Sequence, residues 1–451
     1  MSENRILNDV KERIEKLNIF ELRQVARAVG VHRPADGKKS RVTEAILDIA
    51  RGVVAPEPPS SRGAPPKSHQ FDEKLVADIL TCREYSIALR GESLPQHQRN
   101  VMTVSDSAAE RVENSVKTYK GVLDTSGEYA FLRSKQSGYN AEEVFVHESF
   151  INRFSLKYGD EIECRGMSKS ADEIPGMVEL ISVNGRAGLC ERKDFSQLTP
   201  VYPSVNIKIS TDNGCAACAM ADLFSPVALG QRAFISAPSK SGKTTLIKQI
   251  ATGICANYPQ IKVVLVILDA RPEEITDFKR SLAECELFYT RFDTSAASRI
   301  STAKLAFEYA KRITEDGGDA LVIFDGVQKL VRAYTSEAEA AEEVKKLLYC
   351  ACNAEEGGSL TVISTLAQDM ASYGEYTGIA NMIISLSREL AEKRIFPAID
   401  SKNSYADGDE RFLTADELRA SRILRAREAE EVVNLFNENP SVEEVVKKVL
   451  I

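Results

Sequence analysis

The chain has 451 residues, enough for two to four domains, and its 27% charged and 43% hydrophobic residues are typical of a globular protein. The formal net charge of −8 excludes a surface that is basic throughout, although a single basic face or channel is compatible with it. The sequence has no apolar run of transmembrane length, and its charged N-terminus lacks the apolar segment of a signal peptide. We therefore expect a cytoplasmic protein without a membrane partner.

Residues 1–52 predict a small helical module, because apolar residues recur at helical spacing. Gly30 ends the second predicted helix, and Ser40 is the expected N-cap of a third. Lys and Arg outnumber Asp and Glu in this module. A solvated surface explains that excess at least as well as a nucleic-acid face does.

Residues 53–70 interrupt the helical pattern with prolines among Ser, Gly and Lys, which predicts a semi-rigid linker. Residues 71–115 have mixed polarity, and we leave them as an unassigned connecting segment.

Within residues 116–187 the apolar pattern changes to period two and divides into short runs separated by turn residues. The expected strands are residues 121–123, 129–132, 143–146, 160–165 and 178–183. Five short strands in this length predict a small β-barrel of the OB or cold-shock type.

Aromatic and basic residues in this predicted barrel suggest a nucleic-acid surface. Tyr129 and Phe131 alternate along one strand and therefore share a face, with Arg133 next on that face and Phe145 on another strand. Exposed aromatic rings stack on unpaired bases, and Arg either stacks or contacts phosphate. The alternative is that one or two of these rings fill the barrel interior, and alternation alone does not decide between the two.

Residues 188–451 alternate apolar strands with helices, which predicts a buried parallel sheet in an α/β domain. The expected strands are residues 233–236, 263–268, 320–324, 360–364 and 382–386. A nucleotide in such a domain binds beyond the carboxyl ends of the strands.

A phosphate-binding loop follows the first of these strands. Residues 237–244 read Ala-Pro-Ser-Lys-Ser-Gly-Lys-Thr and match the pattern G-x-x-x-x-G-K-[ST] except that Ala237 replaces the first Gly. Backbone N–H groups at a helix N-terminus hold phosphate oxygens, Lys243 adds a charge, and the Thr244 hydroxyl is a ligand for Mg²⁺. The loop therefore predicts binding of a nucleoside triphosphate.

The nine cysteines are scattered and odd in number, which favours reduced thiols over a disulfide framework. Cys215 and Cys218 form the only C-x-x-C pair. A lone pair of this kind is either a zinc half-site or two free thiols, and its role stays open.

Eight stretches occur along the chain in a distinctive order: Tyr129–Ser134, Leu223–Pro226, Gly230–Arg232, Ala237–Thr244, Asp269–Glu274, Arg332–Tyr334, Glu355–Leu360 and Ala391–Asp400. In this order they resemble the transcription termination factor Rho family of bacteria, and the resemblance covers almost the whole chain. The family also has Ala at the first position of its phosphate-binding loop. The resemblance implies a multidomain protein with a helical N-terminal module, a cold-shock-like barrel and a RecA-like P-loop ATPase core.

The resemblance also implies an activity and partners. Members of the family form hexameric rings, bind ATP and Mg²⁺ between subunits, capture single-stranded RNA on the barrel, and pull the RNA through the pore. The RNA polymerase elongation complex is the implied target. This chain would assemble alone or in a mixed ring with another Rho.

Site residues are carried over by position. The resemblance implies that Tyr129, Phe131, Arg133 and Phe145 form the RNA site. It implies that Phe396 stacks on adenine and that Asp325 holds Mg²⁺ together with Thr244. The implied phosphate-binding residues are Lys240, Ser241, Gly242, Lys243, Thr244 and Thr245, and the implied catalytic positions are Asp269, Arg271, Asp325 and Lys243.

Three departures from the family pattern concern the motor. Ala270 occupies the position of the Glu that orients the attacking water, and Asp407 aligns with the arginine finger, with Arg411 as the nearest replacement. The connection over residues 335–354 is shorter than the family's pore loop and predicts a helix capped by Ser336, while Thr377 replaces a pore Lys.

Three hypotheses follow. The first is an RNA-stimulated ATPase and translocase that ends transcription. The second is a non-motor member of the family that binds ATP and RNA and regulates termination without efficient hydrolysis. The third is an unrelated RecA-like NTPase. Restoring Glu at position 270 alone is expected to leave hydrolysis impaired under the second hypothesis, because the finger and pore positions remain altered.

Overall fold

The computed structural model describes residues 10–54 with gaps at 12, 15, 30, 32–37 and 52, then residue 79, residues 116–134 without 128, and residues 144–168, 174–187 and 192–451. The chain divides into two compact units, residues 1–110 and 111–451. The predicted linker, beyond residues 53 and 54, and the segment 71–115, apart from residue 79, lie outside the described residues.

Among the described residues of the first unit, two helices are complete, α1 (Ile19–Ala28) and α2 (Lys39–Ala50). Their apolar faces pack together in one cluster with Val10 and Ile14. The expected N-cap at Ser40 is wrong: Lys38 is the capping residue and makes no side-chain capping bond, so Ser40 lies inside the first turn.

The second unit begins with a closed five-stranded barrel in the order β1-β2-β3-β5-β4, as the sequence predicted. Its elements are β1 (Val116–Asp124), β2 (Ala130–Arg133), β3 (Val144–Val146), α3 (Glu148–Phe154), β4 (Glu161–Met167) and β5 (Gly176–Val183). Side chains that alternate along the strands fill the interior, among them Ala130, Leu132, Val144 and Val146.

The rest of the unit is an α/β domain around a mainly parallel sheet, again as predicted. Its central path runs β11-β10-β12-β14-β9-β15-β16, where only β16 pairs antiparallel, and β13 and β6 extend it from β14. The strands are β6 (Pro200–Val201), β7 (Asn206–Ile207), β8 (Val227–Ala228), β9 (Arg232–Ala237), β10 (Lys262–Ala270), β11 (Glu286–Arg291), β12 (Ala320–Asp325), β13 (Cys352–Ala354), β14 (Ser359–Ala367), β15 (Met382–Ser385) and β16 (Tyr405–Ala406).

Helices pack against both faces of this sheet. They are α4 (Ala216–Phe224), α5 (Lys243–Asn257), α6 (Pro272–Ser281), α7 (Ala296–Glu315), α8 (Val327–Val331), α9 (Glu337–Tyr349), α10 (Tyr373–Thr377), α11 (Arg388–Glu392), α12 (Ala415–Arg425), α13 (Ala429–Glu438) and α14 (Val442–Leu450). Each face of the sheet has its own apolar cluster. On β9, Ala233 and Ile235 belong to the cluster on one face, and Phe234 belongs to the cluster on the other. None of the helices described is long and apolar enough to cross a membrane.

A buried ionic cluster joins the barrel to the α/β domain. Arg192 follows the barrel and contacts Asp160 at 2.5 Å and Glu315, at the end of α7, at 3.1 Å. Both carboxylates are fully buried, and the Arg192 side chain is only 8% exposed. The backbone also packs closely here, because a Cβ on Gly159 would lie 2.5 Å from the carbonyl carbon of Glu308.

We predict that Arg192→Met lowers the free energy of unfolding by about 3 kcal/mol, because it leaves the fully buried Asp160 without its cation, whereas Glu315 keeps its pairs with Lys157 and Arg312. The matched control is Arg165→Met, which removes an exposed pair with Glu179 and is expected to cost less than about 1 kcal/mol. Urea unfolding measures both changes. Equal losses in the two variants would contradict the structural role of the cluster.

Candidate functional site

The phosphate-binding loop joins β9 to α5 through two residues with left-handed backbone, Lys240 (φ 62°) and Gly242 (φ 93°). Gly242 adopts this conformation without strain and immediately precedes the helix. The Ser241 hydroxyl donates to the carbonyl of Pro238 at 2.8 Å, which ties the loop together. As at any helix N-terminus, the first backbone N–H groups of α5 have no partner within the helix, and such groups bind anions.

Ala237 explains why the first Gly of the loop pattern is dispensable. It is fully buried and is the last residue of β9, paired with Ala367 in the sheet. The chain turns only after this residue, so a small side chain in extended conformation is sufficient there.

Lys243 begins α5 close to several charged groups. Burial lowers the pKa of Lys243 from its usual value, Asp325 and Asp369 oppose that shift, and Lys329 adds to it. A partly buried ammonium at a helix N-terminus favours an anionic ligand. Thr244 is partly buried, and Thr245 is exposed.

Asp325 ends β12 at the same edge of the sheet. One carboxylate oxygen accepts a hydrogen bond from the Thr365 hydroxyl at 2.8 Å, and the other contacts the Lys329 ammonium at 3.0 Å. Parallel pairing of β9, β14 and β12 brings Asp325 and the loop to one edge, as the sequence predicted.

Asp269 lies near the end of the neighbouring strand β10. Its backbone is left-handed (φ 50°), and its Oδ2 contacts Arg299 at 2.9 Å. Its Oδ1 is buried and has no hydrogen-bond partner, so the carboxylate retains acceptor capacity at this edge. Ala270 is fully buried in the apolar cluster, whereas Arg271 is exposed at the start of α6.

Phe396 lies beside the phosphate-binding loop. A Cβ placed on Gly242 would be 3.8 Å from the Phe396 ring, and that ring is 42% exposed. An exposed aromatic face next to a phosphate cradle fits a nucleobase.

These residues fit a nucleoside triphosphate with a divalent cation. The loop, Lys243 and the aromatic face match phosphate and base, and Thr244 and Asp325 are oxygen ligands of the kind that Mg²⁺ takes. Among the residues that the structure describes, no group of three His, Cys, Asp or Glu side chains forms a metal site. A cation here would therefore complete its coordination with phosphate and water oxygens.

A cavity of about 600 Å³ lies at the opposite edge of the sheet, where β9 and β15 begin. It is lined by Asp407, Arg411, Tyr202 and Arg232, among others. The Arg411 guanidinium stacks over the Tyr202 ring at 5.7 Å. Asp407 and Arg411 therefore lie at the other end of β9 from the phosphate-binding loop of the same chain.

The predicted pore segments are also defined. Residues 337–349 form α9, and the Ser336 hydroxyl accepts from the backbone N–H of Glu339, so the predicted capped helix is confirmed. Thr377 ends the short helix α10, and Gly378 lines the cavity.

The barrel presents the rings of Tyr129, Phe131 and Phe145 outward. Phe131 and Phe145 are directly opposite each other on β2 and β3, with ring centroids 5.9 Å apart, and Tyr129 lies 6.2 Å from Phe145. The buried neighbours Ala130 and Leu132 take the interior positions. Tyr129 is 58% exposed, so the interior alternative for these rings is wrong.

Arg133 is held against the same face. Its guanidinium lies 5.8 Å from the Phe131 ring centroid, and its Nε donates to Asp124 at 2.9 Å. Asp124 is buried and also accepts from Ser126, so the orientation of Arg133 is fixed.

His147 is a further ring on this face that was not among the predicted residues. Its ring lies 6.4 Å from that of Phe145 and is exposed at the end of β3. The detectable signal was the period of two, because His147 follows Phe145 by two residues and therefore continues its face.

Cys215 acts as the N-cap of α4, where its sulfur accepts from the backbone N–H of Cys218 at 3.2 Å. A hydrogen bond with the Cys218 thiol lowers the pKa of Cys215 to about 7. Neither cysteine is in a disulfide.

Two family models match the chain. The model described as ATP synthase alpha/beta family, nucleotide-binding domain, matches residues 217–406. The model described as Rho termination factor, RNA-binding domain, matches residues 119–188 and so covers the barrel.

Curated proteins named transcription termination factor Rho are similar over much of the chain. The Haemophilus influenzae protein is 33% identical over 403 residues, which cover 83% of this chain and 94% of that protein. The Karelsulcia muelleri protein is 34% identical over a stretch that covers 67% of this chain and 86% of that protein. The chain spans 59% of the Mycobacterium tuberculosis protein, at 32% identity.

Among solved structures, a prototypical ATPase from the type III secretion system of pathogenic bacteria superposes with a TM-score of 0.47 at 23% identity. The superposition covers 61% of this chain and 94% of that one.

We predict that Lys243→Met weakens ATP binding at least tenfold, because it removes the cation at the phosphate cradle. Since burial already disfavours the charged form, the melting temperature is expected to stay within a few degrees. Titration with a fluorescent ATP analogue and a thermal melt measure the two effects. The matched control is Lys248→Met on the same helix, where Lys248 pairs with Asp277, and unchanged binding by Lys243→Met would contradict the assignment.

Proposed function

The chain belongs to the transcription termination factor Rho family, and we propose that it is an ATP-dependent, RNA-binding ring protein that acts on the RNA polymerase elongation complex in transcription termination. The observation that supports this most directly is the combination of an outward aromatic face on a closed barrel with a complete phosphate-binding loop in one compact unit.

The barrel is the proposed site for single-stranded RNA. Tyr129, Phe131 and Phe145 offer ring faces to unpaired bases, which bind by stacking with little dependence on sequence. Arg133, held by Asp124, contributes a fixed cation next to Phe131 for a base or a phosphate. Because the rings already lie in place, RNA binding requires little reordering of the protein.

The α/β domain is the proposed site for ATP and Mg²⁺. The phosphates are held by Lys243 and by the N-terminal N–H groups of α5, together with Lys240, Ser241, Gly242, Thr244 and Thr245. Phe396 stacks on the adenine. Bound Mg²⁺ would neutralise phosphate charge. Thr244 and Asp325 supply its protein oxygens, and Thr365 and Lys329 hold the Asp325 carboxylate in orientation.

The distance between the two ends of the central strands supports assembly into a ring. β9 has six residues, so its two ends are about 20 Å apart. Arg411 and Asp407, at one end, therefore act on a nucleotide only if a neighbouring copy supplies it. A hexamer of this chain, or a mixed ring with another member of the family, satisfies that requirement.

Hydrolysis is the step that this chain is least equipped to accelerate. At position 270, where the family resemblance implies a water-orienting Glu, the side chain is a fully buried methyl group. At position 407, where the family resemblance implies the arginine finger, the side chain is the acidic Asp407. Asp269 retains an unpartnered carboxylate oxygen at the nucleotide edge and is the remaining candidate for orienting water, with Arg271 exposed beside it.

We predict that Tyr129→Ala and Phe131→Ala each weaken binding of single-stranded RNA about fivefold or more, since each removes a stacking surface. Phe292→Ala is the matched control, because Phe292 is an exposed aromatic residue outside the barrel. Fluorescence anisotropy with a labelled oligocytidine measures the affinities. Undiminished binding by both barrel variants would argue against this RNA site.

We predict that ATP turnover is slow with and without polycytidylic acid, while ATP binding is intact. Ala270→Glu alone is expected to leave turnover slow, because the finger position stays acidic. The double variant Ala270→Glu, Asp407→Arg is expected to raise turnover at least tenfold, since a single finger contributes a thousandfold or more in P-loop enzymes, as an order of magnitude.

A phosphate-release assay, run together with ATP binding for every variant, separates failed folding from failed chemistry. Fast RNA-stimulated turnover by the unaltered chain would instead mean that Asp269 and Arg411 supply the missing groups.

A further inference from the structure

The outer face of β2 and β3 carries four rings arranged as two cross-strand pairs. Phe131 lies opposite Phe145, and Ala130 lies opposite Val146. Continuing this antiparallel register by one residue places Tyr129 opposite His147. The Phe145 ring contacts the rings of Tyr129, Phe131 and His147 at 6.2, 5.9 and 6.4 Å.

The His147 ring is fixed by the helix that follows it. His147 is the N-cap of α3, and its Nδ1 accepts from the backbone N–H of Ser149 at 3.1 Å. The Ser149 hydroxyl contacts the same nitrogen at 2.9 Å. An Nδ1 that accepts a backbone N–H leaves the proton of the neutral ring on Nε2, so the imidazole keeps one N–H donor for a ligand.

We propose that His147 is a fourth base-contacting residue of the RNA face, where its ring stacks on the base next to the one at Tyr129 and its Nε2–H donates to an acceptor on that base. This inference rests on the proposed RNA-binding function. The ring is exposed, and its orientation is set before RNA binds. The residue therefore adds both stacking area and a hydrogen-bond donor to a face otherwise made of Phe, Tyr and Arg.

The choice of variant separates this role from helix capping. His147→Ser removes the ring and keeps an efficient N-cap, because Ser is among the preferred capping residues. His147→Phe keeps a ring and removes both the donor and the cap. In the full chain, we expect His147→Ser to raise the Kd for a labelled single-stranded oligocytidine about fivefold or more, with an unchanged melting temperature. His147→Phe is expected to recover part of that loss.

Salt dependence identifies the partner group on RNA. If His147 only stacks on a base, the slope of log Kd against log salt is the same in His147→Ser as in the unaltered chain. If His147 contacts a phosphate, the variant's slope is smaller by the amount that corresponds to one phosphate contact. A reduced slope would overturn base contact as the role of His147.

Tyr129→Ala, measured in the same titration, distinguishes failure of the role proposed for His147 from failure of RNA binding by the barrel. If Tyr129→Ala weakens binding and His147→Ser does not, the role of His147 is refuted while RNA binding by the barrel stands. If neither variant changes the Kd, the proposed RNA function of this face fails and the inference fails with it.

Discussion

Parallel pairing of the central strands is the constraint on which the nucleotide site depends. Parallel strands all end at one edge, and so β9, β12 and β10 bring the phosphate-binding loop, Asp325 and Asp269 together although they are far apart in sequence. The same constraint places the segments that precede β9 and β15 at the other edge, with Arg411 and Asp407. Arg411 and Asp407 therefore cannot reach the phosphate-binding loop of their own chain, and the proposed ring is what would bring them to a neighbouring copy's nucleotide.

Much of this architecture could be predicted from the sequence, because the patterns involved are local. The alternation of apolar residues with a period of two predicted the five barrel strands, and the loop between β9 and α5 has a recognisable residue pattern. The structure lengthens most of the predicted strands, by up to six residues in β1 and four in β14, since backbone pairing continues beyond the apolar run. The expected cap at Ser40 failed because α2 starts at Lys39, two residues earlier than that cap implies, without a side-chain cap.

Other features depend on contacts between distant residues, and the sequence carries no local signal for them. Arg192 meets Asp160 and Glu315 across 32 and 123 positions, and no spacing rule links such residues. Whether Tyr129 and Phe131 faced solvent was likewise undecided by alternation, because either face of a small barrel accepts aromatic residues. The burial of Ala130 and Leu132 decides it.

The helix α7 spans 20 residues, or about 30 Å, and is ion-paired near both of its ends. Near its start Arg299 contacts Asp269 at the nucleotide edge, and its last residue, Glu315, contacts Arg192 under the barrel. A single rigid helix therefore links the barrel, through Arg192, to Asp269 at the carboxyl ends of the strands. The proposed RNA site and the proposed ATP site of one chain thus share a direct structural connection.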